Sequence, residues 1–573
     1  MELEPVTKSS PKPYFFDHYL GYEELTRTLQ GWAKEYPDFV RLRSLAKTEG
    51  GREFWLVEIG RNPDRSRPAI CIDANMHSAE LLGTNAALTV AYTLIGLHHR
   101  PNAGAKWPRT VVETALDGLF YIFPRVSPDG AEEVITAGRA SRSAPRQRRG
   151  RGAPAHWVRR DMDGDGKIRQ LRMKHPAGEF VAHPEFAHVL VPRTVDDEGP
   201  YFKVFPEGFV ADYDGVSVPF PHTLSDNDSD FNRNFPFGWS GELEGAGHFP
   251  GWEPETDAIV RFASAAPHIF AWLNLHTFGG VFIRPPFSDP THEVALEDLK
   301  HYAYAAELAA AHTGTVTVSA LEDMTAEPSK PMTGTLAAWA YGERGCLAWA
   351  IELWDLFASA GLTKRKPFHL NYAIQGREEI AALVRWDTHQ NEGRIFAPWR
   401  AFRHPQLADV EIGGIDAIHG FVNPPETAIR PICDALSSFV VALMSLRPHL
   451  DSRVETKPIS DNLTKVDLFA TNSGYLSTYI MEGSLAQPWN SGLKVLFEAS
   501  GCRLVSGQSS VDVGHLPGWG RGVNEEANAP FFQKSNGVHD IKRTWIVEGG
   551  GDVHVQIGAP RTGWHRHTVA VGK

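Results

Sequence analysis

The chain is poor in cysteine, with four in 573 residues (Cys71, Cys346, Cys433 and Cys502). They lie too far apart for a disulfide frame or a thiolate zinc cluster. The first three sit in apolar segments and read as buried thiols. Positive charge is also scarce: 57 Lys+Arg against 69 Asp+Glu leave a formal net charge of −12, which argues against general nucleic-acid affinity. No uninterrupted apolar run has the length a bilayer requires. The first eight residues, Met1 to Lys8, lack the basic start and apolar core of a secretory signal. The expectation is a cytoplasmic chain with neither a membrane nor a nucleic acid as partner. Internal repeats and low-complexity tracts are likewise missing. Glycine (52) and proline (40) are plentiful, so loops are many, and the length calls for more than one ordinary domain.

Residues 1–14 read as a loose tail. Apolar residues at helical spacing follow from Tyr22. Arg52-Glu-Phe-Trp-Leu-Val-Glu-Ile59, Ala69-Ile-Cys-Ile-Asp-Ala74, Gly118-Leu-Phe-Tyr-Ile-Phe-Pro124, Ile269-Phe-Ala-Trp-Leu-Asn-Leu-His276 and Ala348-Trp-Ala-Ile-Glu-Leu-Trp354 are strand-like, and Leu81 to Leu97 is a long helix. Strands apolar on both faces and alternating with helices predict an α/β fold, a mixed and mostly parallel sheet with helices on both faces. That domain spans 15–455. From about 141 to 229 the periodicity breaks, which predicts an inserted irregular segment. Its arginines (Arg146, Arg148, Arg149, Arg151, Arg159, Arg160) read as a solvated loop or, alternatively, as a substrate-steering patch. After a last helix near Ile429 to Leu446, period-two patterns such as Asp552-Val-His-Val-Gln-Ile-Gly558 predict a C-terminal β-sandwich over 456–573. Lys465 to Ile480 reads as a hairpin there.

Two short strings carry chemistry. His77-Ser-Ala-Glu80 offers an imidazole and a carboxylate at metal-ligand spacing, where the strand ending at Ala74 turns into a helix. Open α/β sheets place their sites at such strand ends. A second copy of the spacing, His389 to Glu392, falls on a surface helix. His276 follows its own apolar strand in the same way as His77 and is the candidate third ligand. Ile351-Glu352-Leu353-Trp354 puts a lone carboxylate in an apolar strand, which is costly unless the group pairs or does chemistry. In Asp230-Phe-Asn-Arg-Asn234, the Asn232 amide beside the Arg233 fork suits a terminal carboxylate. Asp230 can accept the second N–H of a ligand histidine and fix its tautomer. Asp161-Met-Asp-Gly-Asp165-Gly166 resembles the first half of a calcium loop through Asp161, Asp163 and Asp165, although Arg172 stands where a closing glutamate belongs.

Several strings occur in an order that resembles the zinc carboxypeptidase family of the carboxypeptidase A type. They are Tyr22-Glu-Glu-Leu25, His77-x-x-Glu80, Ser127-Pro-Asp-Gly130, Asp230-x-Asn-Arg-Asn234, Glu253-Pro-Glu-Thr256, Leu275-His-Thr277, Trp339-Ala-Tyr341 and Ile351-Glu-Leu353. Together they cover about residues 15 to 360. The resemblance implies that His77, Glu80 and His276 bind zinc, that Glu352 is the general base and acid, and that Asn232 and Arg233 hold the substrate's C-terminal carboxylate. It also implies that Arg142, in Arg139-Ala-Ser-Arg142, stabilises the oxyanion. Two positions depart from the family. Ala79 replaces its arginine in the first ligand string, and no tyrosine stands near Ser329 or Lys330, where the family has a mobile one. A specificity pocket lined from Thr335 to Ala338 would be apolar.

The function these readings predict is a zinc metallocarboxypeptidase acting on peptides or proteins with a free C-terminus. One alternative is a related zinc amidohydrolase, deacylase or cell-wall peptide hydrolase. The other is a non-catalytic binding protein whose sandwich recognises a partner.

Overall fold

Strand β3 (Ala69–Ala74) is buried at all of its positions, and so are its neighbours β4 (Leu119–Phe123) and β5 (Ile269–His276). Such strands need cover on both faces. The computed structural model describes residues 14–63, 66–100, 106–146, 155–221, 224, 229–286, 294–326, 332–373, 376–520 and 538–572. Nearly all of the predicted loose tail lies outside them. With β1 (Val40–Lys47), β2 (Glu53–Ile59), β6 (Val281–Arg284), β7 (Val316–Ser319) and β8 (Leu347–Glu352), the buried strands form an eight-stranded sheet of order β1-β2-β4-β3-β5-β8-β6-β7. The central pairs β4–β3, β3–β5 and β5–β8 are parallel, while β1–β2, β2–β4 and β8–β6 are antiparallel.

The two faces can be read residue by residue. Ile70, Ile72, Leu273 and Leu275 join one core cluster, with Leu88, Phe439 and Val440 from helices Leu82–His99 and Glu426–Leu443. Ala69, Cys71 and Trp272 join another, with Ile259 and Trp339 from helices Pro254–Ala265 and Leu336–Gly342. This is the period-two alternation of a sheet buried on both sides, and each large apolar side chain so buried contributes about 1.5–3 kcal/mol. The stretch Glu426–Leu446 is long and apolar enough to cross a membrane by composition, but 67% of its apolar 18-residue segment is buried inside the protein, as a core helix would be.

The stretch that lacked periodicity contains strands of three to five residues. Gln170–Lys174, Phe180–Ala182, Leu190–Pro192 and Phe202–Pro206 join a hairpin from much later in the chain, Phe396–His404 with Ala408–Ile415, in a six-stranded sheet. His156–Arg159 pairs separately with Gly208–Ala211. Trp157, Leu171, Val210, Val410 and Ile412 form the local core.

From Leu450 onward two four-stranded antiparallel sheets enclose a core of their own, including Val466, Leu468, Trp545, Val495 and Val553. The predicted hairpin over Lys465 to Ile480 is not formed. Leu463–Asn472 pairs instead with Leu450–Ser460 and Asp540–Glu548. Tyr475, Leu476 and Ile480 are apolar because they are buried against the first domain's core. Arg561, between two sandwich strands, is buried in the first domain. It donates to the carbonyls of Ile269 (2.7 Å), Arg344 and Gly345 (3.2 Å), with its guanidinium 4.6 Å from the Trp489 ring centre.

Candidate metal centre and active site

Three adjacent strand ends assemble the site. β3 stops at Ala74, and the chain turns through His77 and Glu80 before helix Leu82–His99 begins. β5 ends on His276, and its register partner on parallel β8 is Glu352. The histidine and the acid are therefore neighbours across two strands, at the end of the sheet where β3 delivers His77.

Both rings turn Nδ1 toward Glu80. His77 Nδ1 lies 2.8 Å from Glu80 Oε1 and His276 Nδ1 2.9 Å from Oε2. One donor atom from each of the three residues falls within 4.8 Å of the others, and all three residues are buried. The outward nitrogens are already engaged. His77 Nε2 is 3.3 Å from Asp230 Oδ1, and His276 Nε2 is 2.7 Å from the amide oxygen of Asn274. Asn274 in turn donates to Asp73 Oδ2 (2.6 Å), while Trp272 donates to Oδ1 (2.8 Å). Two imidazoles held by their far nitrogens, with near nitrogens converging on one carboxylate, form a donor set that fits a zinc ion.

The electrostatics follow the same geometry. Burial and Arg142 oppose a charge on His77, but Glu80 and Asp230 outweigh them and its pKa is raised. Burial would raise Glu80, yet the two histidines hold it far below the carboxylate range. Asp230 is likewise held well below its ordinary value, against burial, chiefly by Arg142. Glu352 is pushed up to about 8 by burial and then by the Glu80 charge, with His276 and Arg142 opposing. Asp73 rises to about 6 through burial, despite its two donors.

The predicted substrate contacts come to the same place. The turn Phe231–Arg233 is capped by Asp230, which accepts from the backbone N–H of Asn232 at 2.9 Å. Asn232 spends its side-chain oxygen on the Leu336 N–H (2.9 Å), and Arg233 donates to the Asn232 carbonyl (2.8 Å). Arg142 Nε reaches Asp230 Oδ2 at 3.2 Å, and its Nη1 lies 4.0 Å from Glu80. His77, Glu80, His276, Glu352, Arg142, Asn232 and Arg233 all line one cavity of about 430 Å³. Its apolar wall includes Ile283, Met324, Met332, Ala337 and Ala350, so of the predicted pocket residues Thr335 and Ala337 face it. Ser329 and Lys330 lie outside the described residues.

Sequence reasoning missed Asp73, Asn274 and Tyr372 here, and reached Arg159 only through the alternative of a substrate-steering patch. Asp73 and Asn274 support His276, and Arg159 and Tyr372 line the cavity. A lone carboxylate in a buried strand was the signal that singled out Glu352, and Asp73 carries the same one. Tyr372 comes from a short helix after β8 and donates to the Phe278 carbonyl at 2.8 Å.

Other candidates lie elsewhere. Arg146 is fully enclosed, not part of a solvated loop, and pairs with Asp129 (3.0 Å), Glu253 (3.2 Å) and Glu255 (2.6 Å). It thereby ties together two strings of the family pattern, Ser127-Pro-Asp-Gly130 and Glu253-Pro-Glu-Thr256. Glu255 is raised to about 7 by burial despite Arg146. Asp161, Asp163 and Asp165 do cluster, but Arg400 pairs with Asp163 (2.9 Å) and Asp165 (2.5 Å), and Arg169 with Asp165 (2.5 Å). Asp161 accepts the N–H groups of Gly164 and Gly166. The loop's charge is balanced by guanidinium groups, and nothing in it supports calcium. His389 is exposed in the last turn of helix Arg377–Gln390, while Glu392 lies beyond the helix end and not on it as expected.

A zinc carboxypeptidase family model matches residues 25–168 and 215–360, a little over half of the chain. A model described as a domain of unknown function (DUF8731) matches 451–570. A zinc carboxypeptidase of Saccharothrix mutabilis subsp. capreolus is 28% identical over 24% of this chain and 30% of its own length. The carboxypeptidase N catalytic chain of Homo sapiens is 27% identical over 22% and 27%. The matched stretch thus spans under a third of either relative. The crystal structure of thrombin activatable fibrinolysis inhibitor (TAFI) is 14% identical with a TM-score of 0.42, covering 76% of this chain and 77% of that one. On the ordered strings, the site that they build and the family match, the chain belongs to the zinc carboxypeptidase family.

Proposed function

We propose that this protein is a zinc-dependent metallocarboxypeptidase that removes residues from the free C-terminus of peptides. The observation that carries the reading is the convergence of His77, Glu80 and His276 beside Glu352 in one cavity that also holds Asn232 and Arg233. A zinc ion held by His77, Glu80 and His276 would supply Lewis acidity toward water and the scissile carbonyl. Glu352 takes the proton of the attacking water and returns it to the leaving amine. Arg142, fixed by Asp230, faces the oxygen on which negative charge develops. Asn232 and Arg233 grip the terminal carboxylate, and the apolar wall receives the last side chain. A full ligand set together with the strand-borne acid argues against a merely binding role.

The test is Glu352→Gln, with zinc content and peptide hydrolysis measured together. The expected variant keeps one zinc per chain and loses about a hundredfold to ten-thousandfold in kcat. Wild-type protein should cleave free peptides and leave C-terminally amidated ones intact. Activity retained in Glu352→Gln, or equal cleavage of the amidated peptides, would overturn the proposal.

A further inference from the structure

The proposed reaction uses two of the three arginines in the cavity. Arg142 is tied to Asp230, and the Arg233 charge also acts on that carboxylate. The third, Arg159, ends the strand His156–Arg159, which the pairing with Gly208–Ala211 holds in place. Arg159 lines the same cavity, and its guanidinium donates to the carbonyl of Ala140, two residues before Arg142, at 3.3 Å. Among the described residues no carboxylate forms an ion pair with it. A guanidinium partly withdrawn from water beside a cavity, without a counter-charge, is a site prepared for an anion.

Resting on the peptidase reading, we infer that Arg159 binds a second carboxylate of the substrate, so that preferred substrates carry Glu or Asp on the acyl side of the scissile bond. The terminal carboxylate is assigned to Asn232 and Arg233, and the terminal side chain to the apolar wall. Arg159 is anchored to the Arg142 segment. An acidic group that reaches it therefore belongs to one of the two residues preceding the cleaved bond. A guanidinium–carboxylate contact in a partly dry cavity discriminates against the neutral amide, because the amide leaves the cation without its partner.

The test uses four N-acetylated tripeptides ending in leucine, in two pairs that differ only by Glu against Gln, one pair at each of those two positions. For wild-type protein, kcat/KM should favour Glu at least tenfold in one pair, mostly through KM. In Arg159→Gln the gap should vanish through loss on the Glu peptide, and Arg159→Lys should restore part of it. No gap in wild type, a gap that survives in Arg159→Gln, or an equal loss on both members of a pair would overturn the inference. If wild type cleaves none of the four, the peptidase reading fails instead. Calorimetric binding of the same peptides to the zinc-loaded protein then decides: a Glu preference that disappears in Arg159→Gln supports the role of Arg159, and equal affinities reject it.

Discussion

Asn274 makes no contact with solvent, yet it decides how His276 presents itself. Its oxygen accepts from Nε2–H and its nitrogen donates to Asp73, which leaves Nδ1 facing Glu80. Leucine in its place would fill similar volume while freeing the imidazole and stranding one Asp73 oxygen. In the proposed zinc site, Asn274→Leu should weaken metal affinity about 10- to 100-fold, measurable by competition with a chelator. Unchanged affinity would show that packing alone orients the ring. At this scale the sequence was legible where a residue was chemically out of place, as with a carboxylate in a buried strand or a histidine at its end. It was not legible for Asn274, and for Arg159 it left a solvated loop and a substrate-steering patch both open, because an amide in a strand or an arginine in a loop has many ordinary uses. Only the register of β5 against β3, which sets Asn274 opposite Asp73, distinguishes the first.

Elements were readable where their hydrophobic period was strong. The central strands and helix Leu82–His99 lie within a residue or two of their predicted positions, because continuous burial leaves a plain mark. The short strands between 156 and 211 left none, since their partners include a hairpin about two hundred residues further on. Tyr475 to Ile480 misled in the other direction, its apolar residues serving a domain contact and no strand. Helix Pro128–Ala137 shows why a glycine stands inside an element that disfavours it. A Cβ on Gly130 would overlap the Ser143 carbonyl oxygen and lie 2.7 Å from the Ser78 side chain, pressing on the segment between His77 and Glu80. Gly130→Ala should therefore destabilise the fold by about 1–3 kcal/mol, although alanine alone favours a helix by about 1 kcal/mol. Urea unfolding measures the difference, and a stabilised variant would refute the close approach.

At the scale of the whole molecule the two domains share one buried cation. Arg561 has its pKa lowered to about 10 by burial, and its two terminal nitrogens donate to carbonyls of the other domain. Arg561→Met keeps the bulk and leaves those carbonyls dry, at a cost on the order of 2–4 kcal/mol. Wild-type protein should unfold in one cooperative transition, whereas the variant should release the sandwich in a separate, earlier one. A single transition at an unchanged midpoint would show that the remaining contacts suffice, the apolar one of Tyr475, Leu476 and Ile480 together with the bonds of Tyr479 to Glu297 and of the Glu482 N–H to Asp298. The first of those carbonyls, Ile269, opens the strand that closes on His276. The appendage thus plugs one end of a rod whose opposite end carries an imidazole of the proposed metal site. Cutting the chain at the domain boundary would uncap that rod, so a first domain trimmed from this protein would need a replacement donor at the position Arg561 now fills.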